Sequence, residues 1–281
     1  MRPFFSLAAT AAVLVVASVD AFAAGQGAEA FGYVPGTGPE NYRNFSTAPV
    51  GLPTRDSGYG AVTPFNPPFA TSDVLIVGGG GTVTIRLDNA VGVDDTSRLG
   101  VFGNNGIIDE DPETAFDENF NYVAGGRGIV GRPPKLFSPI GSAQVSVSTD
   151  GDTFLAVGGV RAFDNPTNGF TDNDVNLGTA APGARPTDPF KPFMKTLADF
   201  AGLRYRDPAA KTDILRLLDG SAGGNWIDLS GVPLASISYV KFDVPAGSRL
   251  AIDAVTAVPE PASLGLIGFA AMLLRRGRAR R

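Results

Sequence analysis

The chain contains neither histidine nor cysteine, so its chemistry must come from carboxylates, hydroxyls, amides and cations. That removes the Ser-His-Asp triad, thiolate nucleophiles, and metals held by imidazole or sulfur. Carboxylate-pair glycoside hydrolysis survives, and it needs two Asp or Glu about 5 to 10 Å apart with one pKa raised. Asp109, Glu110, Asp111, Glu113, Asp117 and Glu118 offer such groups, but carboxylates in loops are usually solvated, and the expectation is a protein that is not an enzyme. Calcium wants six to eight hard oxygens. Asp172-Asn173-Asp174 has the D-x-D start of many calcium loops, with Asp164, Asn165 and Asn176 nearby, and Asp109-Glu110-Asp111 is a second candidate. Neither completes the twelve-residue EF-hand pattern, lacking glycine at its sixth position with glutamate at its twelfth. A structural calcium at Asp172 and Asp174 therefore competes with a simpler reading, turn carboxylates that cap the backbone. No other cofactor is expected. Trp226, the only tryptophan, follows Gly223-Gly224-Asn225 in an alternating stretch. Core or rim packing is favoured there over a ligand platform.

These residues have to be positioned by strands. The 36 glycines and 22 prolines, with runs rich in Val, Ile, Thr and Phe, predict an all-β fold with long loops and one or two short helices. Val74 to Val77 reads as a continuous apolar strand, and Thr82 to Asp88 alternates with period two. Between them lies Gly78-Gly79-Gly80-Gly81, which resembles the glycine turn of a dinucleotide-binding fold. Such a turn needs a helix beneath the pyrophosphate. Val83 stands where the third glycine should fall, and β-branched residues follow, so a tight connection or bulge between strands is expected instead.

Further strands are read at 99–102, 143–148, 153–157, 226–229, 237–244 and 249–255, with Asp150-Gly151 joining a hairpin. Helical candidates are Pro192 to Ala201 and Thr212 to Leu218. Residues 24–70 mix prolines and glycines with Phe31, Tyr33, Tyr42, Phe45, Tyr59, Phe65 and Phe69. Disordered tracts are poor in aromatics, so this extension is expected along the surface or edge of the body with its rings buried. The body itself spans 71–257.

Both ends carry an address. Arg2 precedes an apolar run from Phe4 to Val19, and Ala21-Phe22-Ala23 satisfies the small-x-small rule for a signal peptide over 1–23, with the mature chain starting near Ala24. At the other end stand Val258-Pro259-Glu260-Pro261, an uncharged run from Ala262 to Leu274 that includes Leu264, Leu266, Ile267, Phe269, Met272, Leu273 and Leu274, and then Arg275, Arg276, Arg278, Arg280 and Arg281. A helix over such a run is roughly 20 Å long against a hydrocarbon core of about 30 Å. It spans a membrane only where the bilayer thins or the arginines reach outward. The arginines are expected to stay cytoplasmic, with all upstream residues outside. Pro259 and Pro261 bias Val258 and Glu260 to extended geometry, which suits a protease.

Motif, short span and arginine cluster over 258–281 resemble the PEP-CTERM sorting signal of bacterial exported proteins. The resemblance implies an exosortase-like membrane transpeptidase as partner, cutting near Pro259-Glu260-Pro261, a transient inner-membrane stage, and delivery to the cell surface or the extracellular matrix. Gly78 to Asp88, Val101 to Asn104, Val145 to Phe154, and the pieces Val240 to Val244 and Ile252 to Val255 look similar to a recurring body in PEP-CTERM surface proteins. That body in turn is similar to jelly-roll sandwiches of the galactose-binding-like, discoidin type. This implies a jelly-roll-like β-sandwich flanked by a signal helix and a transmembrane helix, with a carbohydrate-binding module for polysaccharide as the alternative function. Without the signal and the arginine tail, 17 basic residues face 27 acidic ones, a net charge of −10. No nucleic-acid partner is expected, because phosphate binding needs clustered Lys and Arg.

Overall fold

A computed structural model describes residues 23–110, 129–137, 141–172, 183–204 and 213–259. The alternating stretch after the four glycines becomes the long strand β3 (Thr82–Gly92), with Val83, Ile85 and Leu87 buried and Asp88 in solvent. Around it stand β1 (Gly25–Val34), β2 (Leu75–Gly78), β4 (Arg98–Phe102), β5 (Gly141–Ser148), β6 (Leu155–Ala156) and β7 (Arg161–Phe163). A short helix α1 (Asp213–Leu218) precedes β8 (Asn225–Asp228), β9 (Ser236–Asp243), β10 (Arg249–Ile252) and β11 (Ala254–Val258). The protein is all-β, as its composition predicts. Eight strands run in the order β6-β5-β9-β3-β1-β11-β4-β8 with β7 beside β5, while β10 and β2 form a separate ribbon. The hairpin predicted around Asp150-Gly151 is present as β5 and β6. Its turn is held by Asp150, whose Oδ1 accepts the N–H groups of Asp152 and Thr153.

The first part of 24–70 does not lie along a surface or an edge as expected. β1 is an interior strand: Gly25 and Gln26 pair with Ala257 and Thr256 of β11, and Gly27 to Val34 pair with β3 through two irregularities. Gly27 shows why this position accepts glycine, since a Cβ there would lie 2.6 Å from the Pro49 carbonyl oxygen. The rest of the segment wraps back over the body. Tyr33 stacks on Phe45 at 5.3 Å and donates its hydroxyl to the Ile76 carbonyl at 2.8 Å. Tyr42 likewise reaches the Phe69 carbonyl. Of the aromatics expected to be buried, Phe65 is, whereas Tyr59 is 68% exposed. Replacing Tyr33 by Phe should lower the urea midpoint by the equivalent of about 1 kcal/mol; an unchanged midpoint would mean that the wrap contributes nothing to stability.

Two other expectations are corrected. Pro192 to Ala201 is not a helix but a chain with one 3-10 turn, Leu197–Phe200, closed by Asp199 accepting the Thr196 N–H and hydroxyl. The stretch 249–255 is two strands, not one, and they part company: β10 pairs with β2, β11 with β1 and β4. Asp253 makes the break. Its own N–H is bound by the Phe102 carbonyl, and its carboxylate accepts the Thr54 N–H at 2.9 Å and the Thr54 hydroxyl at 2.7 Å.

One continuous core joins the parts. It takes Val83, Ile85, Val145, Val147, Val240 and Phe242 from one half of the large sheet, Leu99, Val101, Ile227 and Val255 from the other, and Leu75, Val77 and Leu250 from the ribbon. A second cluster of Phe65, Ile107, Val130, Phe193, Phe200, Ile214 and Leu218 sits under α1. Trp226 packs against this second cluster and against a third, of Phe102, Ala222 and Ala254.

Candidate functional site

Three segments far apart in sequence are stitched together at the edge of the sheet by asparagine side chains. Asn225, at the start of β8, accepts the N–H groups of Asp164 and Asn165 on its Oδ1 at 3.0 and 3.1 Å. Asn165 donates its Nδ2 to the Lys195 carbonyl at 2.8 Å, and Asn105 donates to the carbonyls of Phe163 and Asn165. All three asparagines are buried. Each replaces a ladder partner that the irregular backbone after β7 lacks. The result is a fixed wall.

That wall encloses a cleft of about 260 Å³, bounded by Arg161 and Ala162 of β7, by Asp164 and Asn165, by 193–196, and by Asn225, Trp226 and Ile227 of β8. The Trp226 ring stands edge-to-face with Phe102 at 6.2 Å and donates its Nε1 to the Gly223 carbonyl at 2.9 Å. Gly100 leaves room for it, since a Cβ at that position would meet the indole at 3.0 Å. Packing and rim were the expected roles of Trp226, and it fills both, core on one side and cleft on the other.

The charges of the cleft are desolvated but not paired. Burial pushes the Asp164 carboxyl above the usual carboxylate range and the Arg161 guanidinium below its usual value. Neither forms a salt bridge among the described residues. One Nη of Arg161 donates to the Val157 carbonyl at 3.1 Å, whereas its buried Nε meets no acceptor, and Asn165 Oδ1 meets no donor. Native proteins leave few buried polar groups in that condition. Sequence reading singled out Asp164, Asn165 and Trp226 for other reasons and missed Arg161. No local signal marked it, because the grouping depends on contacts across about sixty residues.

The residues expected to do other work fall elsewhere. Asp172 accepts the N–H groups of Ala184 and Arg185 on its two oxygens, which hold its pKa below the usual range. Asp174 lies outside the described residues. Asp109 accepts the Ile129 N–H and Glu110 pairs with Lys135 at 3.4 Å, while 111–118 also lie outside. Among the described residues no three acidic side chains gather as a metal would need.

Ala24 and Pro259 meet at one end of the large sheet, in a shallow, mainly apolar groove of about 470 Å³ shared with Thr96, Arg98, Phe190, Pro192 and Val258. Val258 is the last residue of β11 and pairs with Arg98, so it is extended as its following proline predicts. Ala21, Glu260, Pro261, the anchor residues Leu264 to Leu274 and the arginines Arg275 to Arg281 lie outside the described residues, as do the expected signal and membrane helices. No helix among the described residues is long and apolar enough to cross a membrane. Fold and cleft thus define an all-β protein with a preformed polar cleft beside its one tryptophan. The chain matches no protein-family model, and no curated protein matches it.

Proposed function

We propose that this is an exported, non-enzymatic cell-surface or extracellular-matrix protein whose acidic body is released from a weak membrane anchor by cutting at Val258-Pro259-Glu260-Pro261. In this reading the partner is an exosortase-like membrane transpeptidase, the inner membrane is a passing station, and the body is a jelly-roll-like sandwich. The tail sequence carries the proposal: motif, short uncharged run and five arginines follow one another in that order. The end of the body supports it. Val258 and Arg98 form the last rung of the β11 ladder, so cleavage at Pro259 or beyond leaves a central strand whole, whereas cleavage a few residues upstream would strip it. Gly25 pairs with Ala257, so the residues flanking the two proposed cuts are neighbours, which supports a reading in which neither cut disturbs the body.

Mass spectrometry of the secreted protein should find a C-terminus between Pro259 and the first residues of the apolar run, with no arginine cluster. A secreted form that keeps Arg281, or one trimmed upstream of Ala254, would refute the proposal. Changing Pro259 and Pro261 to Ala should shift most of the protein from the medium to the membrane fraction; undiminished release would count against recognition of the motif.

A further inference from the structure

We infer that processing closes this chain into a ring: the transpeptidase joins the tail, cut after Glu260 or Pro261, to the α-amino group of Ala24. The inference rests on the sorting proposal and adds to it the acceptor of the transferred chain. Its support is strand geometry. Gly25 and Gln26 pair with Ala257 and Thr256 in an antiparallel ladder, where opposed Cα atoms lie about 4.5–5.5 Å apart. One residue further out on each strand stand Ala24 and Val258, and both line the same shallow groove with Pro259. Chain ends at protein surfaces are often close, but ends in register on adjacent antiparallel strands are the two sides of a hairpin that lacks only its loop. The tail supplies that loop. Joined after Glu260 it reads Pro259-Glu260-Ala24, and joined after Pro261 it reads Pro259-Glu260-Pro261-Ala24. Loops of roughly three to five residues are ordinary hairpin connections, commonly built around a type I turn, and proline is favoured at the second position of such a turn. A junction directly after Pro259 would need the tighter loop whose first residue has positive φ, which proline cannot adopt.

The chemistry balances without an oxidant and without consuming water. A thiolate of the transpeptidase attacks the carbonyl of Glu260 or Pro261, the amide bond to the next residue breaks, and the anchor leaves with a free amine. The neutral α-amine of Ala24 then attacks the thioester: a new amide forms, the thiolate departs, and the proton from the amine goes to it. One peptide bond is exchanged for another. Water competes as acceptor, but a well-oriented nucleophile within the same molecule acts at an effective concentration on the order of 10⁵ M or more. The amine is held in place, because the Ala24 carbonyl accepts Asn89 Nδ2 at 3.4 Å and the Gln26 N–H donates to Asp88 at 2.8 Å. It is also the better nucleophile. An α-ammonium ionises near pH 8, against about 10.4 for lysine, so far more of it is neutral at pH 7. Lys191, between the groove residues Phe190 and Pro192, is in addition bound by the Asp219 carboxylate at 2.7 Å.

Mass spectrometry of the intact protein secreted by cells that carry the transpeptidase should show a species lighter by one water than the cut linear chain and refractory to N-terminal sequencing. Trypsin should yield one peptide in which Leu250 to Glu260 or Pro261 continues into Ala24 to Arg43, in place of two. The last tail residue retained then falls within the interval expected for the cut, joined rather than free. Gly25→Ala should lower the ring fraction by about tenfold while the arginine cluster is still lost. A Cβ there would lie 2.9 Å from Val91 Cγ2 and 3.0 Å from the Asn89 carbonyl oxygen, which pushes the start of β1 off its partner. Should that variant not be secreted, the parent protein alone decides. A trimmed linear chain with a free α-amine at Ala24 and a free carboxylate, or a tail joined to Lys191 or to an outside amine, would overturn the inference and leave the sorting proposal standing. An undiminished ring fraction in secreted Gly25→Ala would overturn it as well, and a secreted chain that keeps Arg281 would overturn both.

Discussion

Between pH 5 and pH 8 the protein should lose on the order of 3 kcal/mol of stability through Asp253 alone. This carboxyl is 2% exposed. Burial is the main cause that lifts its pKa to about 7, the two hydrogen bonds from Thr54 oppose the shift, and Asp73 adds a smaller push in the same direction as burial. An ordinary aspartate in the unfolded chain ionises near pH 3.9. A folded-state value above the unfolded one means that the folded state holds its proton longer, so the stabilisation is complete below about pH 4 and disappears as pH rises through 7. The carboxylates whose pKa is lowered, Asp94, Asp150, Asp172, Asp199 and Asp228, act in the opposite sense and are ionised in both states above pH 5. Asp164 shifts upward as well, which makes a variant necessary. Asp253→Asn keeps size and neutrality, and urea midpoints measured from pH 5 to 8 should then be much flatter than those of the parent. Parallel curves would show that Asp253 does not titrate in this window.

Gly78→Ala should destabilise the fold by more than about 3 kcal/mol, well above an ordinary overpacking defect. A Cβ on Gly78 would lie 1.8 Å from the Thr37 carbonyl oxygen and 2.3 Å from its carbon. Nothing there can give, because the obstacle is backbone. Pro35 to Thr37 is tied down by Gly78 N–H donating to the Pro35 carbonyl at 2.8 Å and by Thr37 N–H donating to the Gly79 carbonyl at 3.2 Å. Gly80 is the control, since it has φ +76 and open space around it. Alanine there meets only the left-handed penalty of about 1–2 kcal/mol. Melts that rank the two substitutions equally, or a Gly78→Ala protein as stable as its parent, would contradict this account.

That glycine run illustrates how far sequence reading reached. Its likeness to a nucleotide-binding turn was rightly set aside for want of a helix, and a tight connection was expected. Gly78 to Gly81 does connect β2 to β3. What no local pattern carried is that the two strands belong to different sheets, or that Thr37 presses on the turn. Hairpin β5–β6 was legible because alternation and the Asp-Gly turn are local. β1 was not: Gly25, Gly27 and Gly32 give it poor strand propensity, and it forms because β3 and β11 flank it. The burial of Asp253 was not legible for a related reason. It falls on the outward beat between Ile252 and Ala254, which reads as a wet face, yet Thr54 covers it from 199 positions away. The cleft was half legible, its tryptophan and acidic turn visible as separate oddities, their meeting at Asn225 not.

The pairing of β1 with β11 has a temporal consequence. A chain threaded out amino end first delivers residues 25 and 26 early, and their partners at 256 and 257 arrive nearly last. Until then β1 and β4 both lack the strand that lies between them. Contacts of such long sequence separation form slowly, so the middle seam of the sheet shuts only once residues 254–258 are in place between β1 and β4.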